Sequence, residues 1–339
     1  MPKAIHVVRV ITDPMALGSS AMPRLCFVVT SPLGLNAFLR PHIERLSAQY
    51  QISVCVGNDP DGVKPELPGS VELHRIAIRR DISPLADLAS LIVLYRLFRR
   101  GKFDLVYTLS PKAGLLGMLA AWLARVPHRV HCFTGQVWAT RTGLARGMLK
   151  TLDRVLAACA TSLLADSPSQ RQFLINQSVV AADRIQVLGD GSMAGVDTQK
   201  FKPNPAARDR LRAQLAMDAN SCCLLYVGRL KRDKGVLDLV EAFRRIQPDR
   251  PQLHLLLVGP DEEGLEPRFR GLPHLHYVGY TSAVADYMAA ADVFCLPSYR
   301  EGFGQAIIEA GAVGLPVVAS RIYGITDACL LYTSPSPRD

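Results

Sequence analysis

The chain has 339 residues, 49% of them hydrophobic, enough to fill the cores of two domains of ordinary size. Lys and Arg (39) exceed Asp and Glu (30), and the resulting formal charge of +9 favours anionic partners such as phosphates, acidic lipid or nucleic acid. The uncharged apolar run 113–124 falls short of the ~20 apolar residues of a membrane-spanning helix. The eight cysteines form no CxxC pair, which argues for buried, reduced thiols in a cytosolic protein and against zinc.

Residues 1–21 lack the basic head, apolar stretch and cleavage site of a signal peptide and are expected to be an extension outside the fold, with an edge strand at Ile5–Ile11 as the alternative. From Met22 onward, short β-branched or apolar runs alternate with longer helical patterns, the signature of parallel sheets covered by helices. Strands are predicted at Leu25–Val29, Ile52–Val56, Val71–Ile76, Leu105–Thr108, Val130–Phe133, Ser162–Ala165 and Ile185–Leu188. Helices are predicted at Asn36–Gln49, Pro84–Arg100, Lys112–Arg125, Leu144–Cys159 and Ser169–Ile175. A polar, Gly-rich passage then leads to Lys200-Phe-Lys-Pro-Asn-Pro, whose two prolines are expected to interrupt regular structure and mark a hinge.

The alternation restarts with strands at Cys222–Val227, Leu253–Val258, Leu275–Val278, Val293–Leu296 and Pro316–Ala319, and helices at Val236–Ile246, Val284–Ala290 and Gln305–Ala312. This gives an α/β chain with a first domain at 22–196 and a second at 197–327. Ligands of such doubly wound sheets bind beyond the carboxyl ends of the strands, so a substrate is expected in a cleft between the two domains.

Two segments carry charge where such a sheet binds ligands. Ser298-Tyr-Arg-Glu301-Gly-Phe303-Gly304-Gln305-Ala-Ile-Ile-Glu309 follows a buried strand and opens a helix, whose free N–H groups at Gly304 and Gln305 suit a diphosphate. Val227-Gly228-Arg229-Leu-Lys231-Arg-Asp-Lys234-Gly235 also follows a strand and precedes an amphipathic helix. A departing nucleotide diphosphate accumulates negative charge, which fixed cations at Arg229 and Lys234 would stabilise; one well-placed donor of this kind is worth ~3 kcal/mol of barrier.

Together these motifs resemble the family-four retaining glycosyltransferases of GT-B architecture: two glutamates with seven residues between them, Gly-Phe-Gly among these, and an Arg followed by a Lys-Gly pair. The resemblance implies two Rossmann-like domains facing a central cleft and a metal-independent reaction without a cofactor. It assigns Glu301 to the donor sugar and transition state, Glu309 to the ribose hydroxyls, and Arg229 and Lys234 to the donor phosphates. Phe303, Gly304 and Gln305 complete the expected donor site, and Gly34 of Thr30-Ser-Pro-Leu-Gly34 allows close approach to the phosphates. Lys112 of Ser110-Pro-Lys112-Ala-Gly, with Thr134 and Gly135, is expected at the acceptor. Many family members carry a catalytic-region histidine just before a glycine; that position here is Thr134, and His131 is expected in the core.

Pro-Lys-Ala-Gly, Arg80-Asp-Ile-Ser-Pro84 and Phe38-Leu-Arg-Pro-His-Ile-Glu-Arg45 resemble the capsule and O-antigen branch. That branch implies a UDP-sugar donor, a polyprenyl-diphosphate-linked saccharide acceptor, retention at the anomeric carbon, and no nucleic-acid partner. Arg146, Lys150 and Arg154 form one helical stripe, and Arg79, Arg80, Arg96, Arg99, Arg100 and Lys102 flank another helix. Such a pattern suits peripheral docking on the inner face of the cytoplasmic membrane, a solvated surface being the alternative. Asp59-Pro-Asp61-Gly is better suited to a turn than to a metal. Gly189-Asp-Gly-Ser-Met-Ala-Gly-Val-Asp197 resembles the family's interdomain segment rather than a dinucleotide loop. After Asp327 the family continues through further helices, whereas 328–339 resembles foreign sequence on a chain truncated at its C-terminus. Two other functions share parts of this pattern, a nucleotide-sugar epimerase and a non-catalytic sugar-nucleotide binding subunit; the Glu301, Glu309 and Arg229 set argues against the epimerase.

Overall fold

The structure, a computed structural model, describes residues 22–58, 63–79 and 83–333. The extension and edge strand considered at 1–21, the turn at 59–62, Arg80 and residues 334–339 lie outside the described residues. The chain divides into two compact units between Ala194 and Gly195.

The first unit is built on a seven-stranded parallel sheet in the order β3-β2-β1-β4-β5-β6-β7. Its strands are β1 (Arg24–Val29), β2 (Gln51–Val56), β3 (Glu72–Arg75), β4 (Leu105–Leu109), β5 (His128–Phe133), β6 (Ser162–Ala165) and β7 (Ile185–Val187). The central strands are buried on both faces, which is why they appear as unbroken apolar runs. Helix α1 (Arg40–Leu46) covers one face, where Leu35, Leu39 and Ile43 pack on Phe27, Val54 and Tyr107. On the other face lie α2 (Pro84–Gly101), α3 (Pro111–Leu123), α4 (Gly143–Cys159) and α5 (Pro168–Asn176), with α3 packed between α2 and α4. The helix predicted from Asn36 begins instead as a turn at Pro32–Gly34 and a π-helical stretch at Leu35–Leu39, then becomes α1.

The second unit has a five-stranded parallel sheet, β10-β9-β8-β11-β12. Its strands are β8 (Cys222–Val227), β9 (Leu253–Val258), β10 (Leu275–Gly279), β11 (Val293–Leu296) and β12 (Val317–Ala319). Its helices are α6 (Pro205–Gln214), α7 (Val236–Ile246), α8 (Val284–Ala290), α9 (Gln305–Val313) and α10 (Ile325–Thr333). One expectation is corrected here. Pro205 does not interrupt structure but opens α6 at its first turn, with the Asn204 side chain accepting the Ala207 N–H at 3.1 Å. Residues 328–333 continue α10 to Thr333, and Ala328 is fully buried against the core.

A charged network ties α6 to the sheet. Asp292 accepts from Arg208 at 2.6 Å, from Arg212 at 3.1 Å and from the Cys223 N–H at 2.7 Å. The buried Arg212 guanidinium also donates to the Ser221 carbonyl at 2.5 Å and to the Asp218 carbonyl at 3.1 Å. None of the eight cysteines is in a disulfide, and six of them are buried.

Candidate functional site

Each sheet reverses its strand order once, between β1 and β4 in the first unit and between β8 and β11 in the second. The crevice beyond the carboxyl ends at such a reversal is where doubly wound sheets bind ligands. Both charged motifs emerge there in the second unit: Gly228–Gly235 leaves β8 and Pro297–Gly304 leaves β11.

The two loops are joined through backbone and charge. Gly235 has φ +69°, and a Cβ at that position would lie 2.0 Å from the Pro297 carbonyl oxygen, so only glycine lets the Lys234 turn rest on the end of β11. The Tyr299 N–H donates to the Asp233 carbonyl at 3.0 Å, and the Arg300 guanidinium meets the Asp233 carboxylate at 2.6 Å. Lys234 Nζ then reaches Glu301 Oε1 at 2.6 Å, and the fully buried Ser298 hydroxyl donates to the same oxygen at 2.9 Å. Among the described residues both polar contacts of this carboxylate fall on Oε1, which leaves Oε2 for a ligand. Burial lowers the Lys234 ammonium below its ordinary value against the opposing pull of Glu301. A cation held this way repays its desolvation only with an anion beside it.

Arg229 stands on the same loop as Lys234, its Nη1 3.2 and 3.3 Å from the two Glu262 oxygens. Its backbone is fixed by the buried Tyr226, whose hydroxyl donates to the Arg229 carbonyl at 2.9 Å. On α9, Gln305 donates to the Gly195 carbonyl and lies 3.5 Å from the Glu309 carboxylate. Burial pushes the Glu309 carboxyl up to about 7, while Gln305 and Lys200 pull it down. Phe303 requires a correction: its side chain is buried in the core of this unit, so only its backbone adjoins the crevice.

The structure thus brings Arg229, Lys234, Glu301, Gly304, Gln305 and Glu309 to the loops after β8 and β11 and the start of α9. It adds two groups absent from the sequence-level prediction, Ser298 as the hydroxyl that orients Glu301 and Glu262 as the acid beside Arg229.

In the first unit the reversal crevice is closed by a 2.6 Å hydrogen bond between Thr30 Oγ1 and Ser110 Oγ, joining the loops after β1 and β4. Gly34 sits in the helical turn after β1 with φ −67°, and an added Cβ would meet only ordinary contacts at 3.6 Å, so packing does not demand glycine there. Lys112, expected to present its charge to an acceptor, pairs with Asp87 at 2.6 Å in a largely buried bridge. Thr134 and Gly135 follow β5, one strand from the reversal. His131 is buried, its Nδ1 2.8 Å from the Thr108 hydroxyl, and burial depresses it to about 3, leaving a neutral ring packed edge-on to Phe133.

Residues 33–191 match the family described as glycosyl transferase 4-like domain, and residues 207–330 match glycosyl transferases group 1. The capsular polysaccharide biosynthesis glycosyltransferase CapM of Staphylococcus aureus is 30% identical over 260 residues, covering 75% of this chain and 68% of that protein. The UDP-Gal:alpha-D-GlcNAc-diphosphoundecaprenol alpha-1,3-galactosyltransferase of Escherichia coli is 32% identical over 256 residues, 72% of this chain and 65% of that protein. Among solved structures, Anabaena Alr3699/HepE in complex with UDP and glucose superposes with a TM-score of 0.68 at 21% identity, covering 90% of this chain and 82% of that one. That last likeness concerns the fold, a pair of doubly wound units of the GT-B type. With the family matches spanning both units and CapM aligned over most of each chain, this chain belongs to the group 1 glycosyltransferases and has the GT-B fold.

Proposed function

We propose that the chain moves a sugar from a UDP-sugar to a polyprenyl-diphosphate-linked saccharide, with retention at the anomeric carbon, in the assembly of a bacterial surface polysaccharide. The observation that carries this reading is the Lys234–Glu301 pair at the reversal crevice, with Arg229 beside it. Arg229 and Lys234 take the charge of the departing diphosphate, the work a divalent ion would otherwise do, so the reaction needs no metal. Glu301 faces the sugar, and Glu309 receives the ribose hydroxyls. The N–H groups opening α9 at Gly304 and Gln305 meet the phosphates. The anomeric C–O bond to the diphosphate breaks, the acceptor oxygen bonds from the same face, and the acceptor proton passes to the leaving phosphate. On this reading Gly34 adjoins the donor phosphates, while Lys112, Thr134 and Gly135 belong to the acceptor site. The substrates of the Escherichia coli relative, UDP-Gal and a GlcNAc-diphosphoundecaprenol acceptor, support this choice.

The test is release of free nucleotide diphosphate from a panel of UDP- and GDP-sugars, with and without synthetic polyprenyl-diphosphate saccharides. Acceptor-dependent release that disappears in Arg229→Ala is expected; donor binding with no release under any acceptor would favour the binding subunit instead.

Glu309 supplies a pH signature. A carboxyl held near 7 is partly protonated in the unliganded protein, whereas two ribose hydroxyls are best received by the carboxylate. UDP affinity is therefore expected to rise as pH increases from 6 toward 8, and Glu309→Gln to flatten that dependence. Titration calorimetry at several pH values checks it, and a wild-type profile as flat as the variant's would remove Glu309 from the ribose site. The same shift lowers stability. The folded protein retains a proton that the unfolded chain releases near 4.5, so this group's contribution falls as pH rises between about 4.5 and 7.

Peripheral membrane attachment belongs to the same reading, through a face different from the stripe expected at the outset. Arg146 and Lys150 bond to the Gln177 side chain and lie over the Trp138 ring, and Arg154 donates to the Ser178 carbonyl, so that stripe partly serves the fold. The outward faces of the flanking helices are apolar: Leu85, Leu88 and Ile92 on α2, and Leu144, Met148 and Val155 on α4, with Leu85 85% and Leu144 95% exposed. Residues 84–159 contain eleven Lys or Arg against three Asp and no Glu, which places +8 of the chain's +9 in this one segment. Apolar outer faces among basic residues match an anionic lipid surface. Co-sedimentation with phosphatidylglycerol vesicles is expected to fall at least tenfold in the Leu85→Glu, Leu144→Glu double variant; equal binding of both proteins would discard this face.

A further inference from the structure

We propose that Glu262 is the positioning residue for Arg229, holding its guanidinium in the orientation that receives the diphosphate. This rests on the proposed role of Arg229 as a phosphate ligand. Glu262 stands on the loop after β9, in the acidic run Asp261-Glu262-Glu263 that would ordinarily be a solvated turn. Instead its side chain is only 6% exposed, and both carboxylate oxygens lie within 3.3 Å of Arg229 Nη1, with Lys231 Nζ at 3.6 Å. Acids are seldom buried to this degree unless their charge is compensated.

Both partners are fixed by backbone. The Gly228 N–H donates to the Val258 carbonyl at 2.9 Å and the Leu230 N–H to the Pro260 carbonyl at 2.8 Å, and Leu230 bridges Asp261, so the loops after β8 and β9 prolong the sheet pairing. Gly259, with φ +139°, permits that approach: a Cβ there would fall 2.0 Å from the Gly228 carbonyl oxygen. Asp261 stiffens the other side of the turn by accepting the N–H groups of Glu263, Leu265 and Glu266 at 3.3, 2.9 and 2.8 Å. Arg229 therefore hangs between its own Tyr226-anchored backbone and an acid on an equally rigid loop.

A guanidinium carries five N–H donors in a planar fork. Engaging Nη1 on Glu262 sets the plane of the fork and leaves the Nη2 and Nε donors for phosphate oxygens. The acid also offsets part of the cation's attraction for an anion, so the proposal sets orientation of the guanidinium above its net charge.

The experiment is a double-mutant cycle read by UDP binding to the full chain, which requires no acceptor. Glu262→Ala is expected to weaken UDP about tenfold in the wild-type background and less than twofold when Arg229 is already Ala. Glu262→Gln, which keeps an oxygen for Nη1 and removes the charge, is expected to restore affinity to the wild-type level or tighter. A loss of equal size in both backgrounds, or a Gln variant no better than Ala, would overturn the proposal, because a loop-stabilising role predicts additivity without rescue. Failure of the wild-type chain to bind either UDP or GDP would overturn the donor-site reading itself, a result separable from an additive cycle.

Discussion

Glu301→Ala is expected to lower the transfer rate by about 10²–10³ while leaving the fold intact, the range seen when one preorganised electrostatic contact to a transition state is removed. Two effects combine. The carboxylate proposed to face developing positive charge on the sugar is lost, and the buried Lys234 ammonium loses the anion 2.6 Å away that supports its charge. Glu301→Gln separates them: it retains an oxygen for the Ser298 hydroxyl at the Oε1 position but no counter-charge. A Gln variant as slow as Ala shows that charge, not hydrogen bonding, is what the site requires. Initial rates of nucleotide diphosphate release at saturating donor, with thermal melts run alongside, check this. Less than a fivefold loss in Glu301→Ala would exclude Glu301 from the chemical step.

The largest stability effect is expected at Asp292. Its Ala variant would strip the counter-charge from Arg208 and from the buried Arg212, and would leave the Cys223 N–H at the start of β8 without its carboxylate acceptor. Breaking a buried ion pair from one side costs about 3 kcal/mol or more, since the surviving charge stays desolvated. A urea titration that separates the two units would show the second melting earlier and the first unchanged; a shift below about 1 kcal/mol would mean that Arg212 keeps its charge satisfied on the Ser221 and Asp218 carbonyls. The network also predicts acid sensitivity. Burial pushes the Asp292 carboxyl up, but Arg208, the Cys223 N–H and Arg212 outweigh it and hold it below 3.8. Its stabilisation is thus complete above 3.8 and lost as pH falls through the lower, folded value.

Both of these groups differ in how visible they are in sequence. The strands were legible because parallel sheets bury both faces, so β1, β4, β8 and β9 stand out as apolar runs between polar turns. Glu301, Arg229 and Lys234 were legible because each occupies a loop directly after such a run, where the crevice rule puts ligand contacts. Helix α6 was hidden by the opposite uses of proline: Pro203 and Pro205 look like breakers, yet Asn204-Pro205 is also a cap followed by a first-turn proline, and the structure uses the second meaning. The π-helical stretch at Leu35–Leu39 leaves no signature in a pattern read at 3.6 residues per turn. Phe303 was misassigned because a motif fixes a backbone position without saying which way the side chain turns. Glu262 and Asp292 were beyond reach for a different reason. Their partners lie 33 and about 80 residues away, brought near only because β9 and β11 both neighbour β8.

The contact of Gly235 with the Pro297 carbonyl has a consequence for redesign of this enzyme class. Because two main chains touch there, the separation between the turn proposed to bind phosphate and the loop proposed to face the sugar acts as a fixed ruler that no side chain sets. Donor preference can therefore be altered by exchanging side chains around Glu301 without disturbing the span from phosphate to sugar. A change as small as one methyl at Gly235 would instead lengthen the ruler for every donor alike.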